Sequence, residues 1–312
     1  MEKYSFSNDK WQWYGIDPAS DEDVQSLPPL ADPCRTWLQS LKEDQNNNLE
    51  METTEEGKEA LWGSIIYHQN LDKQEGQTIL HYCLLQNTLV TNKLAFSRLY
   101  HSTEQKLFEK LQQAENAIEG FMILLGEIVA SFLQDIDAFE DRMHKLLWRL
   151  KENNNEDVLE QIIANRHEIL VWENLIIPVI EIQDAMKEAF GDEIADGWNY
   201  KRTSRRISRC NNIIQLYDDE IQQMTALENV LSNYRGNNIF KTLTVITLLF
   251  TPLTAWGALW GMNFEVMPEL SWQYGYLFAI ALILFTTGGL FYYLQRKKWM
   301  GDILKSGNRK EF

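Results

Sequence analysis

The chain has 312 residues, of which 24% are charged and 45% are hydrophobic, a composition compatible with one large or two ordinary domains. The formal net charge is −16. Residues 239–312 contain seven Lys or Arg and four Asp or Glu, a balance of +3, which leaves −19 on the first 238 residues. Such an acidic portion repels phosphate backbones, so the charge argues against nucleic-acid binding and favours multivalent cations as partners.

Three cysteines, Cys34, Cys83 and Cys210, lie far apart without C-x-x-C spacing, which argues against a disulfide framework or a zinc cluster and fits a reducing cytosol. Charges interrupt the first thirty residues, so we expect no secretory signal peptide. The sequence contains no phosphate-binding loop, no nucleophile and base pair and no metal-ligand spacing. We therefore expect neither an enzyme nor a resident cofactor.

Residues 1–102 predict a small α/β unit. Residues 11–17 have the pattern of a strand that leads into a helix start at residues 18–23, with Ser20 as the N-cap. Residues 78–85 and 88–96 are apolar and β-branched and flank Gln86 and Asn87, which predicts a hairpin. The Asn- and Glu-rich stretch 43–58 predicts a loop.

Residues 103–195 predict a helical hairpin, because apolar residues recur in steps of three and four from about Thr103. Three asparagines at 153–155 end the first helix, and the second covers 156–190 and ends at Gly191. A further helix begins near Asp196. Its apolar positions have the spacing typical of a helix packed against copies of itself, and they are Ile207, Cys210, Ile214, Tyr217, Ile221, Met224, Leu227 and Leu231.

Two uncharged stretches, 242–260 and 274–294, predict membrane-spanning helices. They contain nineteen and twenty-one residues, enough to cross about 30 Å of hydrocarbon at 1.5 Å per residue. Trp and Tyr cluster at their ends, as expected for interfacial anchors. A buried hairpin of a soluble protein is the alternative, but soluble core helices rarely stay uncharged for about 20 residues. If the preceding helix continues through Gly236, residues 196–260 form one stalk and first span about 90 Å long.

The basic residues predict the orientation. Arg296, Lys297 and Lys298 follow the second span directly, whereas the connecting loop 261–273 has two Glu and no Lys or Arg. By the positive-inside rule, the tail 295–312 is cytoplasmic, and two spans return the N-terminus to the same side. We therefore expect a multi-pass protein of the plasma or inner membrane, with an acidic cytoplasmic portion and an outward-facing loop.

Four threonines of the first span lie on one helix face, with Asn237 before them and Asn263 after them; they are Thr244, Thr247, Thr251 and Thr254. A single threonine can bond its own i−4 carbonyl and serve helix packing. Four on one face favour a water-filled pathway. Because two spans cannot enclose a pore, this polar stripe predicts an oligomer in which the first span is innermost.

Gly261-Met262-Asn263 stands at the exit of the first span, with Met267-Pro268-Glu269-Leu270 behind it and Lys297-Lys298-Trp299 after the second span. In this arrangement the sequence resembles the CorA family of magnesium and cobalt transporters. The resemblance implies an α+β membrane protein: a homopentamer with a funnel-shaped α/β/α cytoplasmic domain, a long stalk helix that lines the pore, and an outer ring of second spans.

The resemblance also assigns roles to the stripe. It implies that Asn263 forms an outer ring that receives the hydrated ion, that Thr254 forms a polar ring in the pore, and that Asn237 forms one at the cytoplasmic end. Neutral amide and hydroxyl oxygens suit Mg²⁺, because they can hold its hydration shell without trapping the ion. Glu265 and Glu269 in the loop can raise the local cation concentration, although ordinary solvated loop acids explain them equally well. The family interpretation makes Arg296, Lys297 and Lys298 a basic collar around the pore exit.

In the family, carboxylates between neighbouring cytoplasmic domains bind regulatory Mg²⁺, yet the corresponding stretch here reads Lys201, Arg202, Arg205, Arg206. Two acidic sets could serve instead, although such runs are more often solvated helix faces. One is Asp218, Asp219 and Glu220 on the stalk, and the other is Asp135, Asp137, Glu140 and Asp141 on the hairpin. Two rival functions stay open: a zinc transporter of the ZntB type, with or without proton coupling, and a membrane-tethered scaffold that has lost transport.

Overall fold

The computed structural model describes residues 1–17, 20, 23, 27, 37–38, 46–70, 76–99, 104–152, 156–263, 265 and 267–299. The chain divides into two compact units. The first contains Met1–Trp148 and Asp157–Gln223, and the second contains Arg149–Glu156 and Met224–Phe312. A single helix, Trp198–Trp260, contributes residues to both units.

The first unit contains a mixed sheet of six described strands in the order β1-β2-β6-β5-β4-β3. Neighbouring strands are antiparallel, except that β2 pairs with β6 in parallel. The interior strands β4 and β5 are mostly buried, in keeping with their aliphatic and aromatic composition. The strands are β1 (Glu2–Phe6), β2 (Trp11–Ile16), β3 (Asn48–Glu52), β4 (Ala60–His68), β5 (Thr78–Leu85) and β6 (Thr88–Asn92).

Two strand predictions are confirmed. The strand predicted at 11–17 is β2, which ends one residue earlier, at Ile16. The predicted hairpin is formed by β5 and β6, which pair Leu84 with Leu89 across Gln86 and Asn87. Most of the helix start predicted at 18–23 lies outside the described residues. Ser20 Oγ does accept a 3.4 Å hydrogen bond from the backbone N–H of Asp23, as an N-cap would.

The loop predicted at 43–58 is wrong, because the described part of this stretch contains β3. This strand pairs antiparallel with β4 and lies at the edge of the sheet. Its backbone needs partners on one side only, and its side chains stay partly exposed. Asn and Glu are therefore tolerated at positions where a central strand would need apolar residues.

Six described α-helices follow the sheet. They are α1 (Glu104–Leu111), α2 (Ala117–Glu152), α3 (Glu156–Phe190), α4 (Trp198–Trp260), α5 (Pro268–Ser271) and α6 (Gly275–Arg296). The periodicity from Thr103 onward did not reveal the break between α1 and α2. At this break the N–H of Glu119 donates to Asn116 Oδ1 (2.9 Å), and the buried indole of Trp11 donates to the carbonyl of Ala114 (3.1 Å). The sheet thus fixes where α2 begins.

Helices α2 and α3 form the predicted antiparallel hairpin. The Phe139 and Trp172 rings lie 4.9 Å apart, and Arg142 Nη2 lies 2.6 Å from Glu168 Oε1. Later residues of α2 thus contact earlier residues of α3, as in an antiparallel pair. Helix α2 is long and apolar enough to cross a membrane, but 83% of its apolar window is buried within the protein. It is a core helix of the first unit.

Helix α4 continues through Gly236 and Pro252 to Trp260 without interruption. In the first unit its apolar positions Ile207, Cys210, Ile214 and Ile221 are buried by other segments of the same chain. Tyr217, for example, meets the Phe139 ring of α2 at 5.5 Å. For these positions the interpretation that they pack against copies of the helix is wrong, because their spacing reflects packing within the first unit. Leu227 is 46% exposed, so for it the interpretation stays a prediction.

The contact between α2 and the sheet predicts that substitution by alanine has opposite effects on stability at two glycines that both lie inside helices. A Cβ at Gly120 would stand 2.5 Å from Cη2 of Trp11, a fully buried ring that stacks on Phe6. We expect Gly120→Ala to destabilise the protein by about 1–3 kcal/mol through overpacking. Gly236→Ala is the matched control, because nothing lies within 4 Å of its Cβ position. It should stabilise α4 by up to about 1 kcal/mol.

Thermal unfolding followed by circular dichroism in detergent measures both glycine variants. The midpoint should fall for Gly120→Ala and stay level or rise for Gly236→Ala. Equal midpoints for the two variants would contradict the packing described for Trp11.

Candidate functional site

The C-terminal part of α4 and the whole of α6 are the apolar helices of the second unit. Their most apolar windows are only 6% buried, in contrast to the covered window of α2. The predicted span 242–260 falls within α4, and the predicted span 274–294 falls within α6 except for Tyr274, which is the N-cap of that helix. Exposed apolar helix surface of this extent needs an apolar solvent or further protein around it.

Helix α6 covers one side of α4. Val245 and Leu294 are 3% and 2% exposed, and Leu248, Leu249 and Leu290 pack around them. At about 100° per residue, this covered side is centred about 135° around α4 from the stripe of four threonines. All four threonines are exposed. One chain therefore places α6 behind α4 and leaves the hydroxyl-bearing side open.

Each threonine of the stripe donates its hydroxyl proton to the helix itself. The acceptors are the carbonyl of Phe240 for Thr244, Leu243 for Thr247 and Thr247 for Thr251, each at 2.8 Å, and those of Phe250 (3.1 Å) and Thr251 (3.0 Å) for Thr254. The donors are thus satisfied locally, as the packing interpretation requires. The outward lone pairs of each oxygen remain, so the exposed side of the stripe is a row of hydrogen-bond acceptors.

Asn237 and Asn263 lie near the two ends of the stripe and are both exposed. Asn237 is inside α4, and Asn263 follows its last turn. The chain leaves the helix through Gly261, whose N–H donates to the carbonyl of Gly257 at 3.0 Å. Gly261 does not have a positive φ, so its backbone conformation is open to other residues. A Cβ at this position would lie 3.0 Å from the Gly257 oxygen, so that oxygen would have to shift by a few tenths of an ångström.

The loop after Asn263 is described only in part. Met262 and Glu265 are exposed, while Phe264, Val266 and the side chain of Glu269 lie outside the described residues. The backbone of Glu269 belongs to the short helix α5. Stacked indoles of Trp256 and Trp260, 5.5 Å apart, mark this end of α4. Such rings are typical of the boundary between hydrocarbon and water.

The three basic residues of the predicted collar follow one another at the end of α6. Arg296 occupies its last turn, and Lys297 and Lys298 come next. Lys298 has a left-handed backbone (φ 59°), and the N–H of Trp299 then bonds back to the carbonyl of Leu294 at 3.1 Å. This is a helix-ending geometry, and it concentrates three cations where the helix dipole is negative.

The two acidic sets considered as regulatory ligands lie side by side in the first unit. Burial, reinforced by Glu140 of α2 and then by Glu220 of α4, raises the pKa of Tyr217 to about 12. Burial and the charge of Asp218 raise the pKa of Glu173 on α3. Asp219 is exposed. Among the described residues of a single chain, no three His, Cys, Asp or Glu side chains are placed to hold a metal ion.

A buried ionic cluster was missed in the sequence. Glu127 of α2 is 7% exposed, and its Oε1 lies 2.6 Å from Lys110 Nζ and 3.5 Å from Arg206 Nη1. Arg206 also donates to the carbonyl of Gly126. The signal was a lone carboxylate within the apolar run of α2, where an unpaired charge would be very costly. Arg206 is thus a structural residue that joins α4 to α2.

Comparison with known proteins agrees with this architecture. The family model described as CorA-like Mg²⁺ transporter protein matches residues 8–297. This chain belongs to that family. It is 37% identical over 303 residues to the magnesium transport protein CorA of Bacillus subtilis, with 96% of this chain and 95% of that protein covered. The family prediction made from the Gly261-Met262-Asn263 arrangement is therefore confirmed.

Solved structures show the same fold. The complete CorA magnesium transporter from Methanocaldococcus jannaschii matches with a TM-score of 0.64 at 20% identity, covering 96% of this chain and 94% of that one. The cytoplasmic domain of ZntB from Vibrio parahaemolyticus matches with a TM-score of 0.50 at 13% identity, covering 72% and 88%. The predicted fold class, an α/β domain followed by long helices and apolar C-terminal helices in a membrane protein, is confirmed.

Proposed function

We propose that this chain forms a channel for Mg²⁺, and also for Co²⁺, which enter the cell down the membrane potential. The observation that carries the proposal is the exposed acceptor stripe of α4, which lies away from the side that α6 covers. Membership of the family of CorA-like Mg²⁺ transporters supports divalent cations as the transported ions. No ATP site is required, because a potential of about 100 mV, negative inside, contributes about 4.6 kcal/mol to the entry of a divalent ion.

The chemistry of the stripe suits a hydrated ion. Mg²⁺ gives up its water reluctantly, so a pore for it must bind the hydrated ion. The water molecules of the hydration shell present hydrogen-bond donors to the pore wall. The threonine oxygens offer acceptors without a net charge. Carboxylates in their place would bind the ion too tightly for it to leave. Asn263, Thr254 and Asn237 would form successive neutral rings from the outer mouth to the cytoplasmic end.

The pathway requires several copies of the chain. One α4 with one α6 behind it cannot enclose a water-filled space, whereas a ring of copies with α4 innermost places every stripe toward the axis. The number five is what CorA family membership suggests. In this arrangement α6 faces lipid, the loop with Glu265 and Glu269 lies outside, and the basic collar and both termini lie in the cytoplasm.

Gating by cytoplasmic Mg²⁺ completes the proposal. Each copy carries −19 before residue 239, so five copies would bring together about 95 negative charges. Divalent ions bound between neighbours would relieve this repulsion and favour compact, closed domains, and α4 would pass that bias to Asn237. Asp218, Asp219 and Glu220, beside Glu173 and Glu140, are the residues we propose for this role.

The stripe hypothesis predicts different outcomes for two threonines with the same backbone bond. Thr251→Val keeps the β-branched shape and removes the oxygen that faces the pathway, and we expect Mg²⁺ uptake to fall about tenfold or more, a barrier increase of about 1.4 kcal/mol. Thr242 also donates to an i−4 carbonyl, that of Asn238 (2.8 Å), but lies on the opposite side of α4. Thr242→Val should take up Mg²⁺ at close to the wild-type rate. Equal uptake by the two variants would remove the stripe from the pathway.

The proposed outer mouth of the pore, formed by Gly261 and Asn263, predicts two further losses of function. Asn263→Ala removes the carbonyl ring for the hydrated ion, and Gly261→Ala brings a methyl group against the Gly257 carbonyl. We expect both to nearly abolish Mg²⁺ uptake, while native mass spectrometry still finds the pentamer. Asn238→Ala is the control, because it removes an amide side chain that does not belong to the stripe. This variant should transport Mg²⁺ at the wild-type rate. Wild-type uptake in both mouth variants would refute the assignment of the mouth.

The gating hypothesis predicts that Mg²⁺ protects the cytoplasmic domain. Limited proteolysis of the detergent-solubilised protein should be slower in millimolar Mg²⁺ than in EDTA, because ions bound at Asp218, Asp219 and Glu220 hold these parts of neighbouring domains together. Equal cleavage rates, together with a flux that does not depend on the Mg²⁺ concentration on the cytoplasmic side, would exclude gating by Mg²⁺.

A further inference from the structure

The first three turns of α4 carry a strongly basic surface, unexpected in a chain with a net charge of −16. It borders a cavity of about 460 Å³ and is here called the α4 basic face. Its residues are Trp198, Lys201, Arg202, Arg205, Arg206 and Arg209. Their spacing of three and four places them along one side of the helix. This surface lies within the first unit.

Three of the cations on the α4 basic face have no ion-pair partner in the part of the chain that the structure describes. Lys201 pairs with Asp196 at 2.9 Å, and Arg206 is held by Glu127. Arg202, Arg205 and Arg209 are exposed, and none of them forms an ion pair with another described residue. Like charges this close repel one another unless an anionic partner covers them. Beside them Trp198 is 74% exposed, and Trp and Arg are the residues most enriched at the centres of protein interfaces.

The same unit contains a surface of the opposite sign. A groove of about 540 Å³ runs between α3 and strand β3, the last described strand on that side of the sheet, and it is here called the acidic groove. Its charged residues are Glu181, Asp184 and Glu188, and no Lys or Arg is found among the described residues that line it. Lys187 Nζ approaches Asp184 from outside at 3.8 Å. The apolar part of the lining, which suits an indole, comprises Leu49, Met51, Ile65, Ile182 and Ala185.

The two surfaces lie at the same level of the first unit but on different sides. The Tyr200 hydroxyl donates to the carbonyl of Gln183 (2.8 Å), and Lys187 Nζ lies 5.8 Å from the Tyr200 ring centroid. The start of α4 is therefore level with the last turns of α3. Glu181, Asp184 and Glu188 occupy a different side of α3, roughly 110° around the helix from Gln183 and Lys187.

A ring of identical copies needs this combination of surfaces. Each copy must offer two different, complementary patches, because the contact in a ring runs head to tail. The two patches must also lie at one level along the ring axis. The α4 basic face and the acidic groove meet both conditions, with matching charge and with an exposed indole opposite an apolar floor.

We propose that the α4 basic face of one copy docks into the acidic groove of the next copy, with Arg202, Arg205 and Arg209 paired directly to Glu181, Asp184 and Glu188. The inference rests on the proposed ring of copies and adds the contact that joins neighbouring cytoplasmic units. Direct pairs between arginine and carboxylate need no metal ion. This contact therefore persists when divalent ions are removed and weakens in high salt.

Cysteine cross-linking in the full-length protein tests the contact. Cys83 and Cys210 are buried, so Arg205→Cys and Asp184→Cys are combined in a Cys34→Ser background and treated with a short bis-maleimide reagent. We expect covalent dimers and higher species from the double variant and only monomer from each single variant. The matched control replaces Asp184→Cys with Glu160→Cys, an exposed carboxylate on the same helix about 36 Å away. It should give no cross-link.

Charge exchange tests the pairing itself in the cross-linking background. Glu181→Lys with Glu188→Lys should lower the yield of cross-linked species about tenfold, and adding Arg202→Glu with Arg209→Glu should restore it, since opposite charges again face each other. The yield of the parent pair should stay the same in EDTA and fall in about 1 M salt.

The outcomes separate the docking contact from the proposed function. A transporting oligomer that gives no Arg205–Asp184 cross-link, or equal yields with the Glu160 control, overturns the docking contact and leaves the channel intact. A cross-link that disappears in EDTA shows that metal ions hold the interface, and it overturns the direct pairing. A chain that remains monomeric overturns both the contact and the oligomeric channel.

Discussion

A polar group inside a bilayer must have its hydrogen bonds satisfied, and α4 meets this constraint with its own backbone. Each stripe hydroxyl donates to a carbonyl of the preceding turn, so α4 can pass through hydrocarbon without an unpaired donor. The same bonds turn the oxygen lone pairs outward. One arrangement of hydrogen bonds thus stabilises the helix and lines its surface with acceptors. A role of these threonines in helix packing is therefore compatible with a role in lining an ion pathway. The position of α6 on the far side of α4 then decides which surface is free to face water.

The residue patterns that predicted the architecture are those in which one physical cause dominates. An uncharged run of about 20 residues has few explanations other than a membrane span. Gly191, with φ 85°, ends α3 at the predicted position, because only glycine adopts that conformation at little cost. The resemblance carried by Gly261-Met262-Asn263 identified the family because the tripeptide occurs at the exit of a span. In each case the signal is local and does not depend on distant partners.

The errors arose where tertiary context decides. Strand β3 is polar because it lies at a sheet edge, and no short-range pattern reveals an edge. The break before α2 depends on Trp11, about a hundred residues earlier in the chain. The spacing of Ile207, Cys210 and Ile214 is the same whether α4 packs on α2 and α3 or on copies of itself. Glu127 needs Lys110 and Arg206 to compensate its charge, and only the fold brings the three together.

The central claim is that a ring of these chains conducts hydrated Mg²⁺ along the α4 stripe, driven by the membrane potential. Its most direct test is flux into liposomes that contain the purified protein, a divalent-sensitive dye and a pH dye, under an imposed potassium diffusion potential. The account predicts that Mg²⁺ enters, that an inside-negative potential accelerates entry, and that no proton movement accompanies it; Co²⁺ should follow the same route. Zinc entry coupled to protons with Mg²⁺ excluded, or no flux of any divalent ion, would contradict it.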